Sequence, residues 1–118
     1  GDTLTFYKGV HPEPSYGVKV ESGGKTFAYS GDTNVCDNVD KLFESSDLVM
    51  LDGGLLSGDY SEKSPHLSVK KCVEYANKRG NKLIITHICP LYTEEEIKEE
   101  AKEGLNCRIA KEGTVYLI

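Results

Sequence analysis

The chain has 118 residues, of which 38% are hydrophobic and 28% charged, with a formal net charge of -5. No apolar run approaches the roughly 20 residues of a membrane helix, so we expect one globular unit over residues 1–118 and no membrane partner. Lysines are scattered among glutamates, which argues against DNA as a partner, and the polar opening lacks a secretory signal. A cytoplasmic location is therefore expected.

The chain has four cysteines, Cys36, Cys72, Cys89 and Cys107. They are too far apart in sequence to form the close pairs of a zinc ribbon. In the absence of an export signal they are expected to be reduced and to act as small buried hydrophobic residues. Cys72 lies in a helical apolar stripe and Cys89 follows an apolar run, which favours the same interpretation.

The first third of the chain has the alternating pattern of β-strands. Apolar residues alternate with polar ones at 4–10, 18–20 and 27–29, and Ser22-Gly23-Gly24 supplies a turn between the last two runs. This pattern predicts an antiparallel hairpin region. Apolar residues then recur at helical spacing over 35–43, and the continuous run 48–51 predicts a buried strand.

Helices and strands alternate in the remainder. Ser64 before Pro65 predicts the N-cap and first position of a helix that ends at Gly80, followed by a strand at 83–86. Thr93 and Glu96 form a capping-box pattern for a helix over 94–103. Strands are predicted at 107–110 and 115–118. The fold class is therefore α/β, with a mixed sheet, an N-terminal antiparallel hairpin and about three helices.

Polar residues follow three of the predicted strands. Asp32, Asp52 and His87 come at carboxyl ends, where open α/β sheets place their sites, and His66 can reach the same edge from the first turn of its helix. Simpler interpretations exist for three of them. Asp32 follows Gly31 and Asp52 precedes Gly53-Gly54, and aspartate beside glycine is typical of turns. His66 fits an exposed residue at the start of a helix. His11 is interpreted as structural, orienting a loop that faces the cleft.

The order of four segments resembles a known family. Residues 10–18 (VHPEPSYGV), 29–33 (YSGDT), His66-Leu67-Ser68 and 83–87 (LIITH) are similar to the second half of ribonuclease Z-like members of the metallo-β-lactamase superfamily. The resemblance covers about residues 6–92 and implies half of an αββα sandwich, so that 1–118 would be the C-terminal half of a metallo-β-lactamase-fold domain.

The resemblance also implies roles for individual residues. Asp32 matches the aspartate that bridges two divalent metal ions, expected to be zinc with manganese or iron as alternatives, and His87 matches a histidine that ligates one of them. His66 matches the histidine that donates a proton to the leaving oxygen. The implied reaction is hydrolysis of a phosphodiester, a small one or RNA, by a metal-bound hydroxide. Asp52 matches no family residue, and we expect it to have a supporting role.

One departure from the family is evident. The main metal motif, His-x-His-x-Asp-His, does not occur among the three histidines present, so this metal site is expected to be incomplete and the chain inactive alone. The natural partner would be a missing N-terminal half or a second copy of the chain. An alternative is that the chain is a non-catalytic half-domain whose role is to assemble with a partner.

A signalling domain of the receiver type is the remaining alternative. The run 47–52 (DLVMLD) resembles a strand that carries a phosphorylated aspartate, which would be Asp52. The N-terminal hairpin and the Thr86-His87 strand end count against it.

Overall fold

The computed structural model describes residues 1–118, which form one six-stranded sheet and three α-helices. The strands are β1 (Thr3–Lys8), β2 (Tyr16–Ser22), β3 (Lys25–Tyr29), β4 (Leu48–Asp52), β5 (Lys82–Thr86) and β6 (Cys107–Ile109). The helices are α1 (Asp37–Phe43), α2 (Val69–Arg79) and α3 (Glu94–Ala101), and residues 57–59 form one turn of 3-10 helix.

Strands are ordered in space as they are in sequence. β1, β2 and β3 pair antiparallel, and β3 through β6 pair in parallel, which confirms the mixed sheet and the antiparallel start. Two residues, Gly23 and Gly24, join β2 to β3 at positive φ, as a tight hairpin requires. A receiver domain has a doubly wound parallel sheet of order 2-1-3-4-5, so this topology contradicts that alternative.

The core lies between one face of the sheet and the helices. Each parallel connection contains one helix, and apolar faces of α1 and α2 pack on alternate residues of β3, β4 and β5. Leu51 and Ile85 are fully buried there, as is Cys72 of α2. Lys19 reaches the same side from β2, where its Nζ donates to the carbonyls of Lys41 and Glu44 and thereby caps the C-terminal end of α1.

The opposite face of the sheet is apolar and has no helix over it. The strand register places nine apolar side chains on this face: Leu4, Phe6, Val18, Val20, Phe27, Tyr29, Leu48, Met50 and Ile84. Leu4 and Phe6 remain 61% and 65% exposed. Leu48 and Ile84 are buried, and we call the other seven residues, which are partly or mostly exposed, the open sheet face. The arrangement corresponds to one helical layer and one sheet of the predicted sandwich.

Three local predictions are wrong. Ser68, and not Ser64, caps α2: its side chain accepts from the Lys71 N–H, and residues 64–67 belong to the loop before the helix. The run 115–118 is not a strand, since no neighbouring strand pairs with it and Val115 is 84% exposed. Helix α1 begins at Asp37, so Val35 lies outside it.

All four cysteines are free, and Cys72 is buried as expected whereas Cys89 is only partly buried. The capping box of Thr93 and Glu96 is confirmed in both directions, although α3 ends at Ala101, two residues earlier than predicted. No helix has the length and apolar character needed to span a membrane.

Candidate functional site

Four polar side chains converge at the carboxyl edge of the parallel strands. Asp52 is the last residue of β4, His87 follows β5, and Asp32 lies three residues beyond β3. Because β3, β4 and β5 are parallel neighbours, their carboxyl ends meet at one edge. His66 reaches this edge from the loop before α2. The corrected start of α2 therefore places His66 ahead of the helix and not in its first turn.

Asp52 and His66 form the tightest pair of the site. Nδ1 of His66 lies 2.6 Å from Oδ2 of Asp52, which fixes the orientation of the imidazole. A carboxylate that holds one ring nitrogen leaves the other directed elsewhere, with a defined tautomer. Since the His66 side chain is 22% exposed and Asp52 is fully buried, only the far nitrogen can reach a ligand in the cleft.

Backbone amides complete the surroundings of Asp52. Thr33 N–H donates to Oδ2 at 3.1 Å and Gly54 N–H donates to Oδ1 at 2.9 Å. Burial raises the pKa of Asp52, while the hydrogen bond and charge of His66 and the two amides lower it. The carboxylate thus connects the loops after β3 and β4 to the histidine.

Glycine at position 54 leaves room for the close approach of His66. A Cβ there would lie 3.0 Å from the His66 Cβ and 3.2 Å from Oδ1 of Asp52. The loop carrying His66 is held further by Asn34, which is 2% exposed and whose Nδ2 donates to the carbonyls of Ser61, Glu62 and Ser64. The position of His66 is therefore set by both neighbouring loops.

Asp32 and His87 form a second pair in the cleft. Nδ1 of His87 lies 2.9 Å from Oδ1 of Asp32, and both side chains are open to solvent, at 49% and 37% exposure. His87 has a φ of 60°, an uncommon conformation for a residue other than glycine. Strain of this kind concentrates at functional sites, because the surrounding structure must hold it in place.

His11 contributes a third imidazole to the cleft. Its Nε2 lies 4.0 Å from Oδ2 of Asp32, and its ring meets that of His66 edge-on with centroids 5.5 Å apart. Nδ1 accepts from the Glu13 N–H at 3.3 Å, and the loop is joined to the Asp32 loop by Val10 N–H donating to Oγ1 of Thr33. This placement agrees with the expectation of a loop facing the cleft.

Ligand atoms of Asp32, Asp52, His66 and His87 all lie within 4.8 Å of one another. Two carboxylates and two imidazoles are a donor set that suits zinc, manganese or iron, so these residues fit a divalent metal. Asp32 and His87 have the exposure an incoming ion needs. Asp52 already accepts three hydrogen bonds, which favours a supporting role for it.

Sequence reasoning anticipated that Asp32, Asp52, His66 and His87 would meet at one edge, and the structure places them there. It did not anticipate the pairing of Asp52 with His66, which depends on the loop between them. Tyr29 was also missed: burial, and then the charges of Asp32 and Asp52, raise its pKa. Its position on β3 three residues before Asp32 was the available signal.

Comparisons with known proteins identify the family of this chain. The family described as β-lactamase superfamily domain matches residues 3–88. A ribonuclease Z of Methanothermobacter thermautotrophicus is 35% identical over 104 residues, covering 86% of this chain and 32% of that protein.

Solved structures share the fold. The metallo-β-lactamase fold protein YhfI from Bacillus subtilis has a TM-score of 0.86 at 24% identity, covering 98% of this chain and 50% of that one. Zn²⁺-bound PqqB from Methylobacterium extorquens has a TM-score of 0.70 at 16% identity, covering 99% of this chain and 51% of that one.

The chain therefore spans between about a third and a half of the length of these relatives. The family match covers most of its residues, and the six-stranded sheet with helices on one face matches the metallo-β-lactamase fold. We conclude that the chain belongs to the metallo-β-lactamase superfamily, a hydrolase family with ribonuclease Z among the relatives of this chain.

Proposed function

We propose that this chain supplies part of the active centre of a metal-dependent hydrolase that cleaves phosphodiesters. The observation that carries the proposal is the convergence of Asp32, Asp52, His66 and His87 within 4.8 Å at the carboxyl edge of the sheet. The similarity to a ribonuclease Z supports a phosphodiester substrate, and the Zn²⁺-bound structure of PqqB supports zinc as the metal.

Asp32 and His87 are the residues proposed to hold metal, because they combine suitable donor atoms with access from the cleft. A divalent metal at such a site lowers the pKa of water and stabilises negative charge that develops on the substrate. His11 Nε2 lies 4.0 Å from Oδ2 of Asp32, whereas His87 Nδ1 lies 2.9 Å from Oδ1, so each carboxylate oxygen has an imidazole near it. The chain's own residues thus orient the ligands from two sides.

His66 is proposed as the general acid. Asp52 holds Nδ1 at 2.6 Å, so a proton on the far ring nitrogen points toward the cleft. A buried carboxylate behind an imidazole stabilises its protonated form and fixes its direction. His66 can therefore deliver a proton to the oxygen that leaves when the phosphodiester bond breaks.

We further propose that a second apolar sheet covers the open sheet face in the active protein, from another polypeptide segment or from a second copy of the chain. Leu4 and Phe6 are mostly exposed in the present arrangement, and apolar patches of this kind mark interfaces. Light scattering over a concentration series separates the two sources: a dimer supports the second copy, and a monomer at all concentrations supports the separate segment.

The function is tested by hydrolysis of two phosphodiesters that differ only in the leaving group, one p-nitrophenolate and one an alkoxide. The chain is assayed with Zn²⁺ or Mn²⁺, alone and mixed with the half of Bacillus subtilis YhfI that it does not match. Because an alkoxide needs a proton to leave, His66→Ala is expected to slow alkoxide release by about 100-fold or more. Release of p-nitrophenolate, which leaves without a proton, is expected to slow much less. Glu21→Ala is the control, because Glu21 is an exposed acidic residue near the end of β2 that lies away from the site.

Two results contradict the proposal. Phosphodiester hydrolysis would be excluded if the chain, both alone and mixed with the YhfI half, cleaves the two substrates no faster than buffer that contains the metal. Equal losses for both leaving groups in His66→Ala would show that His66 is not the proton donor.

A further inference from the structure

An apolar groove of about 330 Å³ lies directly beside His87. Seven of its ten lining residues are hydrophobic, and His87 belongs to both the groove and the cluster of Asp32, Asp52 and His66. Besides His87, the lining includes Ile85, Cys89, Tyr92, Ile97 and Ile109. The groove is therefore continuous with the proposed reaction centre.

Three elements build the groove. The carboxyl ends of β5 and β6 lie side by side, with Ile85 paired to Ile109, and α3 contributes Ile97. The connecting loop forms the remaining wall. Two hydrogen bonds hold this loop, from Cys89 N–H to the Gly54 carbonyl at 3.0 Å and from the Tyr92 hydroxyl to Asp59 at 2.6 Å. The groove is thus formed before any ligand arrives, which lowers the entropy cost of binding.

The charge of the groove distinguishes between substrate classes. No lysine, arginine, aspartate or glutamate lines it. The nearest helical turn, which opens α3, carries three consecutive glutamates, Glu94, Glu95 and Glu96. A nucleic acid strand needs cations along its path, so this wall favours an uncharged apolar group over a chain of phosphates.

We infer that the groove binds an apolar substituent of the substrate, so that the preferred substrate is a small phosphodiester carrying an alkyl or aromatic group. This inference rests on the proposed function, because His87 positions the phosphoryl end. A volume of about 330 Å³ lies at the lower end of the range of small-molecule pockets and suits a compact group. RNA is the competing substrate class.

Isoleucine methyl NMR tests the groove directly, because Ile97 and Ile109 line it and Ile118 does not. The probes are methylphosphonate, n-hexylphosphonate and 1-hexanol, each with the zinc-loaded chain, and 1-hexanol also without zinc. Hexylphosphonate is expected to bind at least about tenfold more tightly than methylphosphonate, since buried methylenes each add affinity. Both hexyl probes are expected to shift Ile97 and Ile109 and to leave Ile118 unchanged.

Ile97→Asn is the diagnostic variant and Leu105→Asn the control, because Leu105 is 76% exposed and lies outside the groove. Ile97→Asn is expected to remove the advantage of the hexyl chain, whereas Leu105→Asn keeps it, and circular dichroism verifies that both are folded. The two variants thus make the same chemical change inside and outside the groove.

Three outcomes overturn the inference. Equal affinity for the two phosphonates, or unshifted Ile97 and Ile109 with 1-hexanol, would show that the groove binds no apolar group. A short RNA that displaces methylphosphonate more strongly than hexylphosphonate does would overturn the substrate class. If 1-hexanol binds but neither phosphonate does, the groove exists while the proposed function fails, and with it the assignment of the groove to a substrate.

Discussion

Replacing Asp52 by alanine should destabilise the fold and disorder the site together. The substitution removes the acceptor of two buried amides, Thr33 N–H and Gly54 N–H, and the partner of His66 Nδ1. A buried donor left without a partner costs about 1 to 3 kcal/mol, so two such donors cost about 2 to 6 kcal/mol.

One effect opposes this loss. Burial raises the pKa of Asp52, which means that the folded state disfavours its charged form, and alanine relieves that cost. We therefore expect a net loss of about 2 to 4 kcal/mol in the free energy of unfolding. Asp47→Ala is the matched control, because Asp47 accepts one backbone hydrogen bond, from the Thr26 N–H, in an exposed position. A cost of at most about 1 kcal/mol is expected there.

Urea denaturation followed by far-ultraviolet circular dichroism gives both values. The urea midpoints are compared between variants whose unfolding free energy has the same dependence on urea concentration, so that a change in midpoint is a change in stability. If Asp52→Ala loses no more stability than Asp47→Ala, the two amides do not depend on this carboxylate and the reasoning is refuted.

Three further predictions concern the rest of the chain. Lys19→Met should lower the free energy of unfolding by about 1 to 3 kcal/mol, because the carbonyls of Lys41 and Glu44 lose their donor; a change as small as that of an exposed lysine would contradict the capping role. Burial raises the pKa of the Cys72 thiol well above its usual range, so iodoacetamide at pH 8 should label the other cysteines first, as read by mass spectrometry, and rapid labelling of Cys72 would count against its burial. Burial, followed by the charge of nearby groups, raises the pKa of Tyr75 to about 12 from 10.0, so the stability it contributes is complete below pH 10 and is lost as the pH rises toward 12. The difference in tyrosinate absorbance between wild type and Tyr75→Phe should therefore appear near pH 12 in the folded protein, and a difference that appears near pH 10 would be the contrary result.

The features visible in sequence were those set by local pattern. Alternation predicted the N-terminal strands, the capping box of Thr93 and Glu96 predicted the start of α3, and strand ends predicted the meeting of Asp32 with His87. These succeeded because strand periodicity and caps act over a few residues, and because parallel strands share their carboxyl edge.

The errors came from contacts distant in sequence. Ser64 was an acceptable cap by local pattern, but Leu55 N–H donates to the Leu67 carbonyl and Val69 N–H donates to the Leu55 carbonyl, which keeps residues before Ser68 extended. The pairing of Asp52 with His66 follows from the same contacts. The apolar run at 115–118 resembled a strand, yet it pairs with neither edge strand of the sheet, β1 or β6.

The central claim, that Asp32 and His87 hold a divalent metal, is tested most directly by calorimetric titration of the chain with Zn²⁺. Wild type is compared with Asp32→Ala, His87→Ala and the exposed control Glu21→Ala. We predict saturable binding that weakens by at least about tenfold in each site variant and is unchanged in the control. Identical isotherms for wild type and both site variants, whether flat or saturating, would contradict the assignment.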